Sequence, residues 1–398
     1  MNSSGPETRS EPRACAVSPL SSRPVIVQVC TAPDFLQFTR PHLVELVRRG
    51  YGVHAISSPG AALFELEHLG VGVHPVPMSR GIDIAADARA IPRLLAVLRR
   101  LRPTVVHAHT PKAGLLGMLC ARSLSVAHRF YHMHGLRYES ALGWKRRVLF
   151  NAERLSAGWA THTLCVSDSV RKVAQRDGVI EDDCSVLHHG SAVGIDPTAY
   201  CPGRYAEQAA QLRHQLGIAP SQPVVGFAGR LAADKGLQRL GEAWRAVAES
   251  CPSAHLVLAG AEDPTDPVSL LGLRALPHVH FLGRLETLGP FFEMCDVVTL
   301  PSRREGLPQV LLEAAAMEVP AVCFEATGTR DAVVDRETGV LVGANDVGAL
   351  SLWIARLLQD PALRGPLGRR ARQWVSERFH QRDVVAAMMQ FYSSRLGT

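Results

Sequence analysis

The sequence lacks several features that would each assign it to a large class of proteins. No apolar run approaches the roughly 18 residues that a membrane-spanning helix needs. The nine cysteines stand singly, without a CxxC pair, which argues against a disulfide framework or a zinc site and is typical of a reducing cytoplasm. Neither a GxGxxG motif after a predicted first strand nor a Walker loop is present, which disfavours a dinucleotide dehydrogenase and a P-loop ATPase.

The N-terminus lacks the apolar segment of a signal peptide. Residues 1–22 are instead rich in Ser, Pro, Glu and Arg, a composition that buries too little apolar surface to fold. We therefore expect residues 1–22 to form a disordered tail and the protein to be cytoplasmic.

Negative charge is scarce in the first half of the chain. Residues 1–216 carry 25 Lys and Arg against 17 Asp and Glu, a net charge of +8, whereas the remainder carries 18 against 20, a net charge of −2. This asymmetry indicates that the first half meets an anionic partner. Nucleic acid is disfavoured as that partner, because no recognised nucleic-acid module accompanies the charge.

Short apolar runs alternate with helical patterns in both halves. The predicted strands are residues 24–29, 53–56, 72–76, 104–107, 129–132 and 163–166, and then 224–228, 255–259, 278–282, 297–300 and 321–324. Such alternation predicts an α/β protein with two Rossmann-like, doubly wound domains that face a central cleft. We place the N-terminal domain at residues 23–215 and the C-terminal domain at 216–398, and we expect the last helix to pack back on the N-terminal domain.

A pair of glutamates surrounds a turn in the second half. Glu305 precedes Gly306, which permits close backbone approach, and Pro308 fits the start of a helix that carries Glu313 on its second turn. A helix N-terminus attracts phosphate, and carboxylates accept hydrogen bonds from sugar hydroxyls. The alternative is an exposed loop glutamate followed by a carboxylate that complements the helix dipole.

Two cations follow the first strand of the second half. Arg230 and Lys235 lie in the glycine-containing turn after residues 224–228. Arg can bind a diphosphate with two parallel hydrogen bonds, and Lys acts there as a point charge. The alternative is a solvated loop in which Lys235 pairs with Asp234.

Taken together, these motifs resemble the GT-B glycosyltransferases of family 4, and more narrowly the bacterial enzymes that extend capsule, exopolysaccharide or polyprenyl-linked glycans. The resemblance runs from about residue 24 to the end of the chain. It is carried by residues 226–236 and the Glu305-x7-Glu313 pair, and also by residues 106–114, 133–136, 190–196, 325–331 and 337–339.

The resemblance implies a retaining transferase that needs no metal and no cofactor besides a nucleotide-sugar donor, UDP- or GDP-linked. It implies catalytic roles for His134, Arg230, Lys235 and Glu305. Donor binding is implied for Gly229, Arg230, Lys235, Arg284, Glu305, Gly306, Leu307, Pro308 and Glu313. The segment after the first strand, residues 30–36, lacks the glycines that many members carry near the acceptor.

A basic segment in the first half is a candidate for acceptor or membrane contact. Arg137, Lys145, Arg146 and Arg147 lie within eleven residues and alternate with apolar side chains. Such a segment could contact an anionic membrane face or guide a lipid-diphosphate acceptor. The alternative is a helix whose apolar stripe packs inward and leaves its cations in solvent.

Two His-x-His pairs, His107/His109 and His132/His134, each lie on one face of a predicted strand. A metal site is conceivable there, but no acidic or cysteine partner is adjacent in sequence, so we predict none.

The sequence thus predicts a retaining glycosyltransferase that moves a hexose or N-acetylhexosamine from a nucleotide-sugar to a glycan or polyprenyl-diphosphate-linked acceptor. It would act peripherally on the inner membrane in bacterial surface polysaccharide synthesis. Two alternatives are a nucleotide-sugar epimerase with the same fold and a non-catalytic assembly subunit. The intact set of Arg230, Lys235, Glu305 and Glu313 argues against the second.

Overall fold

A computed structural model describes residues 24–79, 81–181, 184–263 and 268–397. The expected disordered tail at residues 1–22 lies outside the described residues.

The first half of the chain forms a seven-stranded parallel sheet in the order β3-β2-β1-β4-β5-β6-β7. Its strands are β1 Val25–Val29, β2 Gly52–Ser57, β3 Gly72–Pro75, β4 Val105–His109, β5 His128–Met133, β6 His162–Cys165 and β7 Cys184–Ser185. The central strands β1 and β4 are buried along almost their whole length because helices cover both faces of a parallel sheet.

The second half repeats this arrangement with six parallel strands in the order β10-β9-β8-β11-β12-β13. These strands are β8 Val224–Ala228, β9 His255–Ala259, β10 Val279–Gly283, β11 Val297–Leu300, β12 Ala321–Phe324 and β13 Gly339–Val342. The predicted α/β class with two doubly wound parallel sheets is confirmed.

Sixteen α-helices are present in the described residues. They are α1 Pro33–Phe38, α2 Arg40–Arg48, α3 Ala61–Phe64, α4 Ile84–Leu101, α5 Pro111–Ser123, α6 Gly143–Trp159, α7 Asp168–Arg176, α8 Ala206–Gln215, α9 Leu237–Ser250, α10 Val268–Arg274, α11 Gly289–Glu293, α12 Gln309–Ala316, α13 Thr329–Ala332, α14 Val347–Gln359, α15 Pro361–Arg378 and α16 Gln381–Leu396. None of these helices combines the length and the apolar character that crossing a bilayer requires.

The last helix, α16, lies on the first sheet although it follows the second in sequence. The chain returns where the backbones of Ile195 and Phe379 meet, with a hydrogen bond of 2.6 Å from the Ile195 N–H to the Phe379 carbonyl. Beyond that point Met389, Phe391 and Tyr392 are buried among first-domain side chains. The Phe391 ring meets the Phe130 ring edge-on at 4.8 Å.

Two strands, β7 and β13, were absent from the sequence prediction. The first has only two residues, too few for an apolar run, and the second begins at the glycine of a Thr-Gly pair and has only three apolar side chains. Each is the last strand at one edge of its sheet.

The carboxyl group of Glu153, a residue of helix α6, is enclosed within the first domain. Glu153 is 0% exposed and accepts a hydrogen bond from the Tyr131 hydroxyl. Burial, which penalises the charged form, raises the pKa of Glu153 to about 7. The carboxyl therefore holds its proton in the folded protein at pH values where the unfolded chain has released it.

This proton makes stability depend on pH. Because the folded pKa lies above the unfolded value, the stabilisation is present at low pH and is lost as the pH rises through about 7. Between pH 6 and 8.5 we expect a loss of about 1.5 kcal/mol, or roughly 3–6 °C in melting temperature. Glu153→Gln should reduce this slope, measured by thermal unfolding, whereas the exposed Glu249→Gln should leave it unchanged. Equal slopes in all three proteins would contradict the prediction.

Candidate active site

The two domains enclose a groove of about 1,050 Å³ and, beside it, a smaller cavity of about 220 Å³. The smaller cavity gathers seven of the predicted site residues, namely His134, Gly229, Lys235, Glu305, Gly306, Leu307 and Pro308. The larger groove shares His134, Lys235, Glu305 and Gly306 with it and adds Arg230. The structure thus brings together residues that lie up to 174 positions apart in sequence.

Lys235 and Glu305, which both line the smaller cavity, form an ion pair. The Lys235 ammonium lies 2.6 and 2.8 Å from the two oxygens of Glu305, and both side chains are mostly shielded from solvent. Lys235 ends a short 3-10 turn that Gly236 closes with a φ of +75°. A Cβ at Gly236 would lie 1.9 Å from the Pro301 carbonyl oxygen, so glycine is required to bring this turn against the end of β11.

Arg230 lies on the rim of the larger groove rather than in the smaller cavity. Its guanidinium donates to Asp234 at 2.9 Å and to Asp263. Asp234 also accepts from Arg304 at 3.5 Å. The alternative in which Asp234 pairs with Lys235 is wrong, because Lys235 pairs with Glu305 instead.

The domains meet backbone to backbone at Gly306. A Cβ at Gly306 would lie 2.2 Å from the carbonyl oxygen of His134, and a Cβ at Gly328 would lie 2.5 Å from the carbonyl oxygen of Gly306. The Ser167 hydroxyl, from the first domain, donates to that same Gly306 oxygen at 2.7 Å. Glycine at this turn therefore sets the distance between His134 and Glu305.

His134 follows β5 and lines both cavities. Its ring meets the Phe35 ring edge-on at 4.6 Å. Phe35 belongs to α1, the helix formed by the glycine-free segment after β1. This segment thus places an aromatic wall beside His134, with Phe38 also lining the smaller cavity.

Glu313 lies on the second turn of α12, as expected from the sequence, although the helix begins at Gln309 and Pro308 is the residue before it. The carboxyl interacts with Tyr200 and Gln309, and burial raises its pKa to about 8. It is therefore protonated at neutral pH in the ligand-free protein. Neither cavity wall includes it, so it lies beyond Pro308 along the same helix.

The groove wall is rich in guanidinium groups. Burial together with the nearby charges of Arg304 and Arg230 lowers the pKa of Arg137. Arg304 also donates to the Ser140 hydroxyl at 2.7 Å, across the domain boundary. No role for Arg304 was predicted from the sequence, although its position beside Glu305 was a usable signal. Three like charges around one groove favour an anionic ligand.

The remaining predicted residues are divided between the large groove and other parts of the surface. Arg284 is 73% exposed and pairs with Asp34 of the first domain at 2.8 Å. Lys145 and Arg137 line the large groove, whereas Arg146 and Arg147 line a separate surface hollow of about 340 Å³. The basic segment on α6 is therefore divided between two faces.

Comparisons with known proteins agree with this geometry. Residues 38–190 match the family described as "Glycosyl transferase 4-like domain", and residues 208–374 match "Glycosyl transferases group 1". A GDP-mannose-dependent alpha-mannosyltransferase of Mycolicibacterium smegmatis is 30% identical over 77% of this chain and 80% of its own length. The chain belongs to the GT-B glycosyltransferases of family 4.

Two further relatives of this glycosyltransferase are described as transferases, one for a capsular polysaccharide and one for an undecaprenol-linked sugar. The capsular polysaccharide biosynthesis glycosyltransferase CapM of Staphylococcus aureus is 27% identical over 93% of this chain and 97% of its own length. An N,N'-diacetylbacillosaminyl-diphospho-undecaprenol alpha-1,3-N-acetylgalactosaminyltransferase of Campylobacter jejuni is 25% identical over 70% of this chain and 74% of its own length. Each is described as a transferase, which favours transfer over epimerisation.

The fold is shared with solved structures. Anabaena Alr3699/HepE, crystallised with UDP and glucose, superposes with a TM-score of 0.78 over 94% of this chain and 100% of its own, at 20% identity.

The Lys235–Glu305 pair generates a prediction for this glycosyltransferase. We expect negative charge to develop beside Lys235 during transfer, so Lys235→Ala should lower turnover by about 100- to 1,000-fold. The Glu305→Ala variant should lose most of the transfer activity because it lacks the carboxylate. The control is Lys172→Ala, which removes a 2.6 Å ion pair with Asp168 at a position 70% exposed and should retain wild-type turnover. Wild-type turnover in either site variant, with the melting temperature preserved, would show that the site is elsewhere.

The raised pKa of Glu313 generates a second prediction. If hydroxyls of the donor donate to the carboxylate, binding requires loss of a proton whose pKa is about 8. Affinity for a nucleotide-sugar should therefore rise by about tenfold or more from pH 6.5 to 8.5, measured by calorimetry. Glu313→Gln carries no titrating proton and should flatten this dependence; a slope equal to that of the wild type would refute the assignment.

Proposed function

We propose that the protein is a retaining glycosyltransferase that moves a hexose or N-acetylhexosamine from a UDP- or GDP-sugar to a polyprenyl-diphosphate-linked acceptor. The transfer takes place at the inner face of the bacterial membrane and extends a surface polysaccharide. The observation that carries the proposal is the single groove that runs from Arg230, Lys235 and Glu305 to the apolar side chains of α6.

The donor end of the groove suits a nucleoside diphosphate sugar. When the bond between the anomeric carbon and the diphosphate breaks, negative charge builds on the departing phosphate oxygen. We expect that charge to develop beside the Lys235 ammonium and the Arg230 guanidinium, both of which are held by carboxylates before the donor binds. Preorganised cations stabilise such charge without reorganisation, so these side chains take the part that a metal ion has in other transferases.

Donor binding changes the partners of these cations. Lys235 turns from Glu305 toward the diphosphate, which frees the Glu305 carboxylate to accept hydrogen bonds from sugar hydroxyls. The same exchange keeps the charged pair satisfied while the cleft is empty, since an unpaired charge in a partly buried site is costly. Glu313, farther along α12, would accept from the ribose hydroxyls.

The other end of the groove suits a lipid-linked acceptor. It is lined by Ile82, Trp144 and Val148, and by Lys145. Apolar side chains beside a cation fit an isoprenoid chain beside its diphosphate. The relative from Campylobacter jejuni, which is named for an undecaprenol-linked sugar, supports an acceptor of this class.

An anionic membrane surface is the occupant we propose for the exposed face of α6. Leu142 is 85% exposed and Trp144 62% exposed, beside the exposed cations Lys145, Arg146 and Arg147. Ile84, at the start of α4, is 82% exposed. By contrast, Leu94 and Leu98 of α4 are buried against the sheet, so the rest of that helix packs inward. The net charge of +8 in residues 1–216 supports attraction to anionic lipid.

The donor is tested by thermal-shift measurements against UDP-, GDP- and ADP-sugars, since a bound ligand raises stability by mass action. We expect one UDP- or GDP-sugar to raise the melting temperature, and Lys235→Ala to abolish the shift. Proton NMR of the product of an α-linked donor should show an α-linkage. Product formed from the donor alone, as a changed sugar nucleotide, would favour epimerisation, and a β-linkage would overturn retention.

Membrane contact is tested by flotation with vesicles. Binding to vesicles containing phosphatidylglycerol should exceed binding to phosphatidylcholine vesicles and should fall with added salt. The triple variant Lys145→Ala/Arg146→Ala/Arg147→Ala should lose most of this binding. Arg245→Ala/Arg369→Ala/Arg370→Ala removes three exposed charges from the second domain and should retain it. Equal binding of both triple variants would overturn the assignment of α6 as the membrane face.

A further inference from the structure

A continuous chain of hydrogen bonds leads from the active-site histidine into the last helix. His134 Nε2 lies 3.0 Å from His109 Nδ1, and His109 Nε2 lies 2.8 Å from Gln28 Oε1. Gln28 Nε2 donates to the Tyr392 hydroxyl at 2.9 Å, and that hydroxyl lies 2.5 Å from His107 Nδ1. We name these five side chains the histidine chain.

The amide of Gln28 gives the histidine chain a direction. Because Gln28 Nε2 donates to Tyr392, its Oε1 faces His109 and can only accept. His109 therefore carries its proton on Nε2 and accepts at Nδ1 from His134 Nε2–H. His134 is then left with a lone pair on Nδ1.

All the rings concerned are neutral. Burial lowers the pKa of His107, His109 and His134 well below the usual value, with neighbouring histidines adding to the effect. A neutral imidazole has one donor and one acceptor nitrogen, so each ring in the histidine chain can hold only one of two tautomers. The tautomer of one ring therefore determines the tautomer of the ring to which it is hydrogen-bonded.

The same rings could also hold a metal, since His107, His109 and His132 place one ring nitrogen each within 4.8 Å of one another. The hydrogen bonds already engage both nitrogens of His109 and Nδ1 of His107. The space between the rings is about 10 Å³, the lower limit for one water molecule. The geometry therefore favours hydrogen bonding among the side chains over coordination.

We propose that the histidine chain holds His134 as the Nε2–H tautomer, so that Nδ1 is available as a hydrogen-bond acceptor for a donor-sugar hydroxyl in the cleft. Tyr392, buried and contributed by α16, acts as a positioning residue on the side of Gln28 away from His109. Without its hydroxyl the Gln28 amide loses its acceptor and is free to rotate by half a turn. Rotation would reverse every hydrogen bond as far as His134 and place a proton on Nδ1.

The tautomers can be measured without any substrate, so the outcome does not depend on the proposed donor or acceptor. Two-bond ¹H–¹⁵N correlation spectra of ¹⁵N-histidine-labelled protein distinguish the tautomers, with His134→Gln and His109→Gln variants assigning the signals. We expect Nε2–H forms of both rings in the wild type. Tyr392→Phe should give a mixture or the reversed form. An Nδ1–H form of His134 in the wild type, or unchanged tautomers in Tyr392→Phe, would overturn the proposal.

Tyr205→Phe is the matched control, because it removes a tyrosine hydroxyl that donates to the Ala199 carbonyl at 3.1 Å. The histidine spectrum of this variant should match that of the wild type, and its turnover should stay within twofold of the wild-type value.

Turnover, which rests on the proposed function, gives a second readout of the histidine chain. Tyr392→Phe should lower kcat by about tenfold with little change in donor KM, and it should add no further loss in a His134→Gln background. Additive losses would mean that Tyr392 acts only through packing.

Discussion

The contact between the two domain backbones at Gly306 is the constraint on which the site depends. Because Gly306 has no side chain, the turn after β11 approaches the end of β5 until the two backbones are in contact. The Ser167 hydroxyl donates a hydrogen bond to the Gly306 carbonyl there. The contact joins the two residues for which we propose catalytic roles, His134 on one chain segment and Glu305 on the other. A side chain in the gap would separate them, so the geometry of the proposed site and the domain packing are set by the same atoms.

Two kinds of polar environment meet at this contact. On the second domain, cations paired with carboxylates remain partly exposed, so they can exchange partners when an anionic ligand arrives. On the first domain, His107 and His109 are buried and neutral, where a charge would be costly and a directed hydrogen bond is strong. The first kind suits a reaction that moves charge, and the second suits holding a substrate group in one orientation.

The sequence predicted the features that depend on local pattern. The spacing of apolar residues and the residue types at the turns were sufficient to predict the parallel sheets. Strands β8, β9, β11 and β12 have the predicted bounds. The grouping of Lys235 with Glu305 followed from both lying after strands of one sheet. The partners of Asp234 and the separation of Arg146 from Lys145 could not be predicted, because they depend on the directions of side chains in the folded chain. The edge strand β7 is too short to give a periodic signal, and β13 begins with a glycine and has only three apolar side chains.

The path of the last helix has a consequence for the order in which the chain folds during synthesis. The first domain comes off the ribosome early, yet its core includes Met388, Met389 and Tyr392 from α16. That core cannot close until α16 has been synthesised. The earlier half must therefore wait with an apolar face uncovered while the second domain, whose core includes no residue of α16, is completed. In this protein the domain that is made first is the last to finish folding.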